Sequence, residues 1–222
     1  MDFFILGVIW YLIFLISTIL HEVSHGFAAK LLGDPTAYNN GQVTLDPIPH
    51  IKREPWGTVI IPLLFYTFSG WIIGWASVPY DLVWARNNHK KAALMAMAGP
   101  LANLLLVIIS AVLIKVFLAT GFFVKTGAFT FSTSVESLSG LATMMYIAFV
   151  LNLILFVYNL MPFPPLDGSK IIEIFMDKEN AERFSNFINS PLLSIFGVFF
   201  ALLIFYQLFP IIQALTFNLL IG

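Results

Sequence analysis

The sequence predicts an all-α polytopic membrane protein with about four transmembrane helices, a re-entrant segment and short membrane-associated β-strands. Of its 222 residues, 59% are hydrophobic and 10% are charged, whereas roughly 25% of the residues in a soluble domain are charged. Mean hydropathy is +0.89. We therefore expect a single domain, residues 1–222, in the cell membrane with several crossings.

Charge and cysteine content exclude several classes of protein. The net charge of -1 provides no basic surface for nucleic acid. The absence of cysteine excludes disulfides and thiolate metal sites, so any metal ligands must be histidine or carboxylate. The first apolar run is preceded by Asp2, where a cleavable signal would carry Lys or Arg, so we interpret this run as a membrane segment.

Five uncharged runs mark the membrane segments, because about 20 apolar residues span a bilayer. They cover residues 3–20, 57–80, 92–114, 137–166 and 184–222. From them we predict a first span at about 3–32 and further spans at about 92–118, 138–163 and 191–212. The region of about 41–80 is predicted to hold the re-entrant segment and two short strands, at residues 41–45 and 76–80. It is open whether the last run forms one span or a span plus an interfacial helix.

An H-E-x-x-H motif, His21-Glu22-Val23-Ser24-His25, lies at the inner end of the first run. Residues i and i+4 share one face of a helix, so both histidines can direct a ring nitrogen toward one metal ion. Glu22 lies beside them, where a carboxylate can take a proton from water. A shuffled chain of this composition would contain the motif about 0.002 times. The alternative is an exposed helix end without a metal.

Asp167 is the candidate for a third metal ligand, which zinc hydrolases usually require. It ends the stretch from Asn159 to Asp167, whose prolines must break a helix at the end of an apolar run. Unwound backbone at membrane depth is tolerated where it lines a cavity. An Asp that merely caps the next helix is the alternative.

The placement of these candidates constrains the topology. If His21, His25 and Asp167 bind one ion, their two spans must run in the same direction with a single crossing between them. The run at 92–114 supplies that crossing, so residues 57–75 must enter and leave on one side. Pro62, Gly70 and Gly74 suit such a broken path.

The basic residues support the same topology. With a re-entrant segment, nine of the eleven fall on the metal side, and by the positive-inside rule that side is cytoplasmic and the N-terminus extracytoplasmic. The nine are Lys30, Lys52, Arg53, Arg86, Lys90, Lys91, Lys170, Lys178 and Arg183. Lys115 and Lys125 fall near the other side.

These motifs together resemble the site-2 proteases, the M50 intramembrane zinc metalloproteases. The matching patterns are the H-E-x-x-H motif, N-x-x-P-x-P-x-L-D-G ending at Gly168, Ala98-Gly99-Pro100-x-x-Asn103, and Gly74-Trp75-Ala76-Ser77-Val78-Pro79. The resemblance covers about residues 10 to 175 and is to compact members, without the PDZ or CBS domains of others.

The resemblance implies a zinc endopeptidase that hydrolyses peptide bonds in or near the transmembrane segments of membrane-protein substrates. It implies one Zn²⁺ per chain, bound by His21, His25 and Asp167, with Glu22 as the catalytic base. It also implies that Asn159 positions substrate or stabilises the oxyanion. The expected partners are a transmembrane protein substrate and the lipid bilayer; the sequence identifies no regulator.

Three questions stay open at this point. Asn103 is a further candidate for substrate contact, with an interhelical hydrogen bond as the alternative. His50 either contacts the site or is a solvated loop residue, which its position favours. A permease-like metal-binding protein and a CAAX-type membrane protease are the alternative functions. Glu22 between the ligands argues against the first, and an Asp rather than a helical Glu as third ligand argues against the second.

Overall fold

A computed structural model describes residues 2–133 and 138–221 of the chain. Ser137, the first residue of the fourth uncharged run, lies outside these ranges. The helices are α1 (Phe3–Leu32), α2 (Thr36–Asn39), α3 (Pro47–Arg53), α4 (Ile61–Ser69), α5 (Leu82–Asn87), α6 (His89–Ala119), α7 (Ser139–Asn159), α8 (Asp167–Ile171), α9 (Lys178–Ile188) and α10 (Pro191–Leu220). A π-helical turn, Trp56–Ile60, precedes α4, and a 3-10 turn, Ile172–Phe175, follows α8.

Four of the described helices, α1, α6, α7 and α10, are long and apolar enough to cross a membrane. Many of the side chains exposed on these helices are large and apolar, as expected where lipid surrounds the bundle. The predicted fold class, an all-α polytopic membrane protein with about four transmembrane helices and short β-strands, is confirmed.

Helix α6 lies at the centre of the bundle and packs against both α1 and α7. A buried apolar cluster joins α6, α7 and the end of α10; its members are Val107, Ala111, Ile114, Phe149, Val150, Leu153, Phe217 and Ile221. The packing therefore holds α1 and α7 against a shared neighbour. Residues on all three helices can reach one another near that neighbour's N-terminal half.

The segment between α3 and α5 enters the bundle and returns. Its inward limb is the π-helical turn and α4, which ends at Gly70 with a positive φ of 72°, a conformation that glycine adopts readily. The limbs meet where the Trp75 N–H donates to the Gly57 carbonyl at 3.0 Å. We call residues 56–81 the re-entrant hairpin.

Two hydrogen bonds place this hairpin along α1. Near its turn, the Tyr66 hydroxyl donates to the Phe3 carbonyl at 2.8 Å, at the N-terminal end of α1. At its exit, the Asp81 N–H donates to the Asp34 carboxylate at 2.8 Å, just beyond the C-terminal end of α1. The hairpin thus turns near the N-terminal end of α1 and returns to its C-terminal end, as expected for the path predicted from the sequence.

The predicted strands at 41–45 and 76–80 are wrong. Residues 41–45 form turns, because local hydrogen bonds compete with strand pairing: the Gln42 N–H donates to the Ala37 carbonyl and the Asp46 N–H to the Thr44 hydroxyl. Residues 76–80 have no assigned strand partner. The strands in the described part of the chain are β1 (Phe123–Lys125) and β2 (Phe131–Thr133), an antiparallel pair in the connection between α6 and α7.

Candidate metal centre

Helix α1 carries the two histidines of the motif on its buried face. His21 and His25 are four residues apart, and their rings meet edge to face with centroids 4.6 Å apart. The two Nε2 atoms lie 3.0 Å from each other. Both side chains are buried, as is that of Glu22. Two imidazole nitrogens so close together form half of a metal site.

Asp167 completes the set from a different part of the chain. After α7 ends at Asn159, the proline-rich stretch turns back and α8 starts at Asp167. Gly168 allows this approach, because a Cβ there would collide with the backbone of Leu160 and Met161. The Asp167 Oδ2 atom lies 3.1 Å from His21 Nε2 and 3.4 Å from His25 Nε2.

These three atoms fit a zinc ion. Tetrahedral zinc, with bonds of about 2.0–2.2 Å, separates its ligand atoms by about 3.4 Å. The observed separations of 3.0, 3.1 and 3.4 Å are close to that value. An aspartate oxygen beside two imidazole nitrogens is a ligand set that zinc accepts.

Gly99 on α6 leaves the space that an ion would need. A Cβ at this position would lie 2.5 Å from His21 Nε2 and closer still to His25 Nε2. It would occupy the place toward which both nitrogens point. Because Gly99 has no side chain, space is left beside the two nitrogens, and the residues around this space fit a bound metal.

Both histidines are held by hydrogen bonds at the opposite ring nitrogen. His21 Nδ1 lies 2.6 Å from Asn103 Oδ1, and His25 Nδ1 lies 2.8 Å from the Met95 carbonyl oxygen. Since both partners are acceptors, each Nδ1 carries the hydrogen and each Nε2 is left with a free lone pair. Metal-binding histidines usually have such a partner behind them.

Glu22 is the geometric rival of Asp167 as third ligand. The ligand atoms of His21, Glu22 and His25 lie within 4.8 Å of one another. Asp167 is the better ligand because its oxygen lies within 3.4 Å of both nitrogens. Glu22 then remains beside the metal position and lines the cavity in front of it.

This cavity has a volume of about 320 Å³. Glu22, His25 and Asp167 form one part of its wall, and Lys170 lies farther along α8. The return limb of the re-entrant hairpin, through residues 76–78 and 80, forms another part. A peptide could reach the metal position through this space.

The two asparagines predicted to contact substrate do not line the cavity. Asn103 is fully buried and bonded to His21 and Asn152, as in its alternative role of an interhelical hydrogen bond, and its contact with substrate stays a prediction. The Asn159 amide donates to the Leu155 carbonyl on its own helix at 2.9 Å. It is not among the residues that line the cavity, and its contact with substrate stays a prediction.

His50 is buried and not a solvated loop residue. Its side chain, in α3, is 1% exposed because the turns at 41–45 fold over it. Its Nε2 atom lies 2.9 Å from the Thr44 carbonyl oxygen. It does not line the cavity beside the metal centre.

Sequence reasoning missed the roles of Gly99, Asn152 and Asn189. Asn152 is 2% exposed and bonded to Asn103, and Asn189 lines the cavity. The sequence did contain a signal for Asn152, since a polar side chain in an apolar membrane run is expected to have a partner. The sequence has no comparable signal for Asn189, which follows α9 at the edge of the bundle.

The bundle and this site define a class: a membrane protein whose helices enclose an H-E-x-x-H metal centre with a distant aspartate. Residues 9–205 match the model of peptidase family M50. The chain belongs to peptidase family M50, as the resemblance predicted, and membership of this family of zinc metalloproteases implies zinc as the metal.

Relatives in three bacteria support this assignment. YwhC of Bacillus subtilis, whose name describes a zinc metalloprotease, is 35% identical over 160 residues, 72% of this chain and 65% of the relative. Rip2 of Mycolicibacterium smegmatis is 28% identical over 74% of this chain and 56% of the relative, and Rip2 of Mycobacterium tuberculosis is 30% identical over 72% and 54%. The chain thus spans less than two thirds of these relatives' length. No solved structure matches the chain.

Proposed function

We propose that the chain is an intramembrane zinc endopeptidase of the site-2 protease type. It hydrolyses peptide bonds in or near the transmembrane segments of membrane-protein substrates, with one zinc ion per chain. The observation that carries the proposal is the convergence of His21, His25 and Asp167 to within 3.4 Å, beside a cavity that Glu22 lines.

Each residue of the centre has a separate role. His21, His25 and Asp167 bind zinc, which supplies Lewis acidity that lowers the pKa of water and polarises a carbonyl. Glu22 accepts the proton of the attacking water and passes it to the leaving amine. A non-hydrolytic metal protein, such as a permease, needs no base at this position.

The return limb of the hairpin is suited to hold the substrate. Residues 76–80 form neither helix nor turn, and within the described ranges no protein group is hydrogen-bonded to their backbone carbonyls or to the backbone N–H groups of the four that have one. Such an edge can pair with an extended peptide by strand addition. Because a transmembrane helix hides its carbonyls in its own hydrogen bonds, the substrate must unwind before it is cleaved.

The centre faces the cytoplasm, and the N-terminus is extracytoplasmic. The support is that nine of the eleven basic residues lie on the metal side when the hairpin does not cross. The hydrogen bond that joins the hairpin exit to Asp34, beside the C-terminal end of α1, supports such a path.

Quantitative proteomics of membranes tests the proposal. We expect fragments of membrane proteins, cut in or near a transmembrane segment, with the wild-type chain and not with Glu22→Gln. Identical fragments from both strains would contradict a hydrolytic role. Cleavage restricted to C-terminal CAAX sequences would instead identify the alternative membrane protease class.

A further inference from the structure

Three polar side chains are buried behind His21, away from the cavity. Asn103 on α6 is 0% exposed, and Asn152 on α7 and Ser17 on α1 are each 2% exposed. Each belongs to a different helix of the bundle. Polar groups at such a depth are costly unless they are satisfied, so their presence together calls for a specific role.

Asn152 has a fixed orientation because one of its neighbours can only accept. Its Nδ2 atom lies 2.8 Å from the Ala148 carbonyl oxygen and 3.0 Å from Ser17 Oγ. A carbonyl oxygen has no hydrogen to donate, so the Asn152 atom beside it must be the NH₂ group. The Asn152 Oδ1 atom therefore points the other way, toward Asn103.

This orientation is passed to Asn103 and then to His21. Asn152 Oδ1 accepts from Asn103 Nδ2 at 2.9 Å, which directs Asn103 Oδ1 to His21 Nδ1 at 2.6 Å. The Ser17 carbonyl, 3.5 Å from Asn103 Nδ2, favours the same orientation. His21 must then carry its hydrogen on Nδ1, and Nε2 presents a lone pair to the metal position.

His25 has no need of such a chain. Its Nδ1 donates to the Met95 carbonyl at 2.8 Å, and a backbone carbonyl in a helix cannot rotate. The Asn103 amide can rotate by half a turn, which would present an NH₂ group to His21 and move the free lone pair to the wrong nitrogen. A further residue that fixes the hydrogen-bond partner is therefore needed behind His21 and not behind His25.

We propose that Asn152, together with Ser17, is a positioning residue that fixes the amide of Asn103 and thereby the metal-binding tautomer of His21. The inference rests on the metal centre of the proposed function and assigns no contact with substrate to Asn152. It predicts that Asn152 controls metal affinity through Asn103, beyond any contribution to helix packing.

Zinc affinity of the purified full chain, measured by competition with a chelator, tests the proposal. Asn152→Leu keeps the approximate volume and removes the amide, and we expect zinc affinity to fall about 10- to 100-fold, as for other residues behind a metal ligand. The visible spectrum of the cobalt-loaded chain should change with it. Ser17→Ala removes one acceptor of the Asn152 amide, so it should change zinc affinity and the cobalt spectrum in the same direction but by a smaller amount. If Asn152→Leu does not fold, Ser17→Ala alone tests the proposal.

Tyr146→Phe is the matched control. It removes a 3.0 Å hydrogen bond between Tyr146, also on α7, and Gln213 on α10, far along the chain from the metal ligands. This variant should lose interhelical stability and keep the wild-type zinc affinity and cobalt spectrum. A general effect of weakened packing would lower zinc affinity in both variants.

A double-mutant comparison separates positioning from structure. Asn103→Asp places an acceptor oxygen toward His21 in either rotation, so the orientation no longer matters. Asn152→Leu should then have little further effect on zinc affinity. An equal loss in both backgrounds, or wild-type affinity in Asn152→Leu, would overturn the proposal. Because these readouts measure metal binding, a chain that binds zinc but cleaves nothing would contradict the proposed function alone.

Discussion

Gly99 shows how a residue without a side chain can define a metal centre. Its Cα faces the two Nε2 atoms of His21 and His25, and an added methyl group would lie in the space between them. Interiors are packed too closely for the rings to retreat without strain. The centre therefore depends on α6 as much as on the helix that carries its histidines.

Gly99→Ala should abolish stoichiometric zinc binding while the chain still folds. The methyl group takes the position of the ion, so we expect metal content, measured by mass spectrometry on purified protein, to fall close to zero. Gly26→Ala is the control, because its methyl would meet only the side-chain carbons of Ala37 and Val43 at 3.0 Å. Full zinc occupancy in Gly99→Ala would show that the ion lies elsewhere.

At the same scale, the sequence predicted residues whose chemistry is visible in a pattern. His21, Glu22 and His25 share one helix turn, and Asp167 stands out as an acidic residue at a broken apolar run. The contributions of Gly99 and Asn152 depend on which helices meet, and a linear pattern does not contain that information. The role of Asn103 was left open for the same reason.

Among the elements, the re-entrant hairpin was predictable, and the local structure of the segment before it was not. Parity and the distribution of charge predicted that residues 57–75 do not cross. The alternation at 41–45 suggested a strand, but side-chain and backbone acceptors nearby captured its N–H groups. Short alternating stretches carry too little information to overcome such local competition.

Asp34 holds the exit of this hairpin against the end of α1. Its carboxylate accepts from the backbone N–H groups of Thr36, at 3.0 Å, and Asp81, at 2.8 Å. Burial would raise the pKa of the Asp34 carboxyl, but the hydrogen bonds from Thr36 and Asp81 outweigh it and hold that pKa below its ordinary value. Asp34 therefore stabilises the fold only while it is ionised.

Asp34→Asn should lower the free energy of unfolding by about 1–3 kcal/mol at neutral pH, the usual contribution of hydrogen bonds to a charged group. A depressed pKa gives stability above the unfolded value of about 3.9 that is lost as pH falls further. The difference between the variant and the wild-type chain should thus shrink below about pH 4. Thermal unfolding in detergent at several pH values measures it, and a constant difference would contradict the role of the charge.

For the whole molecule, the arrangement of spans decides which side of the membrane holds the metal centre. The order α1, α6, α7 and α10 places His21, His25 and Asp167 at one end of the bundle. By the predicted topology, nine of the eleven basic residues lie at that end of the bundle. The proposed orientation follows from the positive-inside rule.

Accessibility tags test this orientation. We expect tags at residue 1 and near residue 127 to be labelled from outside the cell, and tags near residues 50, 87 and 180 to be protected. The tag near residue 87 is the most informative one, because it follows the hairpin and reports whether the hairpin crosses the membrane. Labelling of that tag from outside would mean that the hairpin crosses the membrane.

Cleavage and metal content measured on the same samples test the central claim most directly. Purified wild type, Glu22→Gln and Asp167→Ala would each be assayed for zinc and for hydrolysis of a reconstituted transmembrane peptide. We predict zinc and cleavage in the wild-type chain, zinc without cleavage in Glu22→Gln, and loss of both in Asp167→Ala. Loss of zinc in Glu22→Gln with full zinc in Asp167→Ala would make Glu22 the third ligand and contradict the assignment of base and ligands.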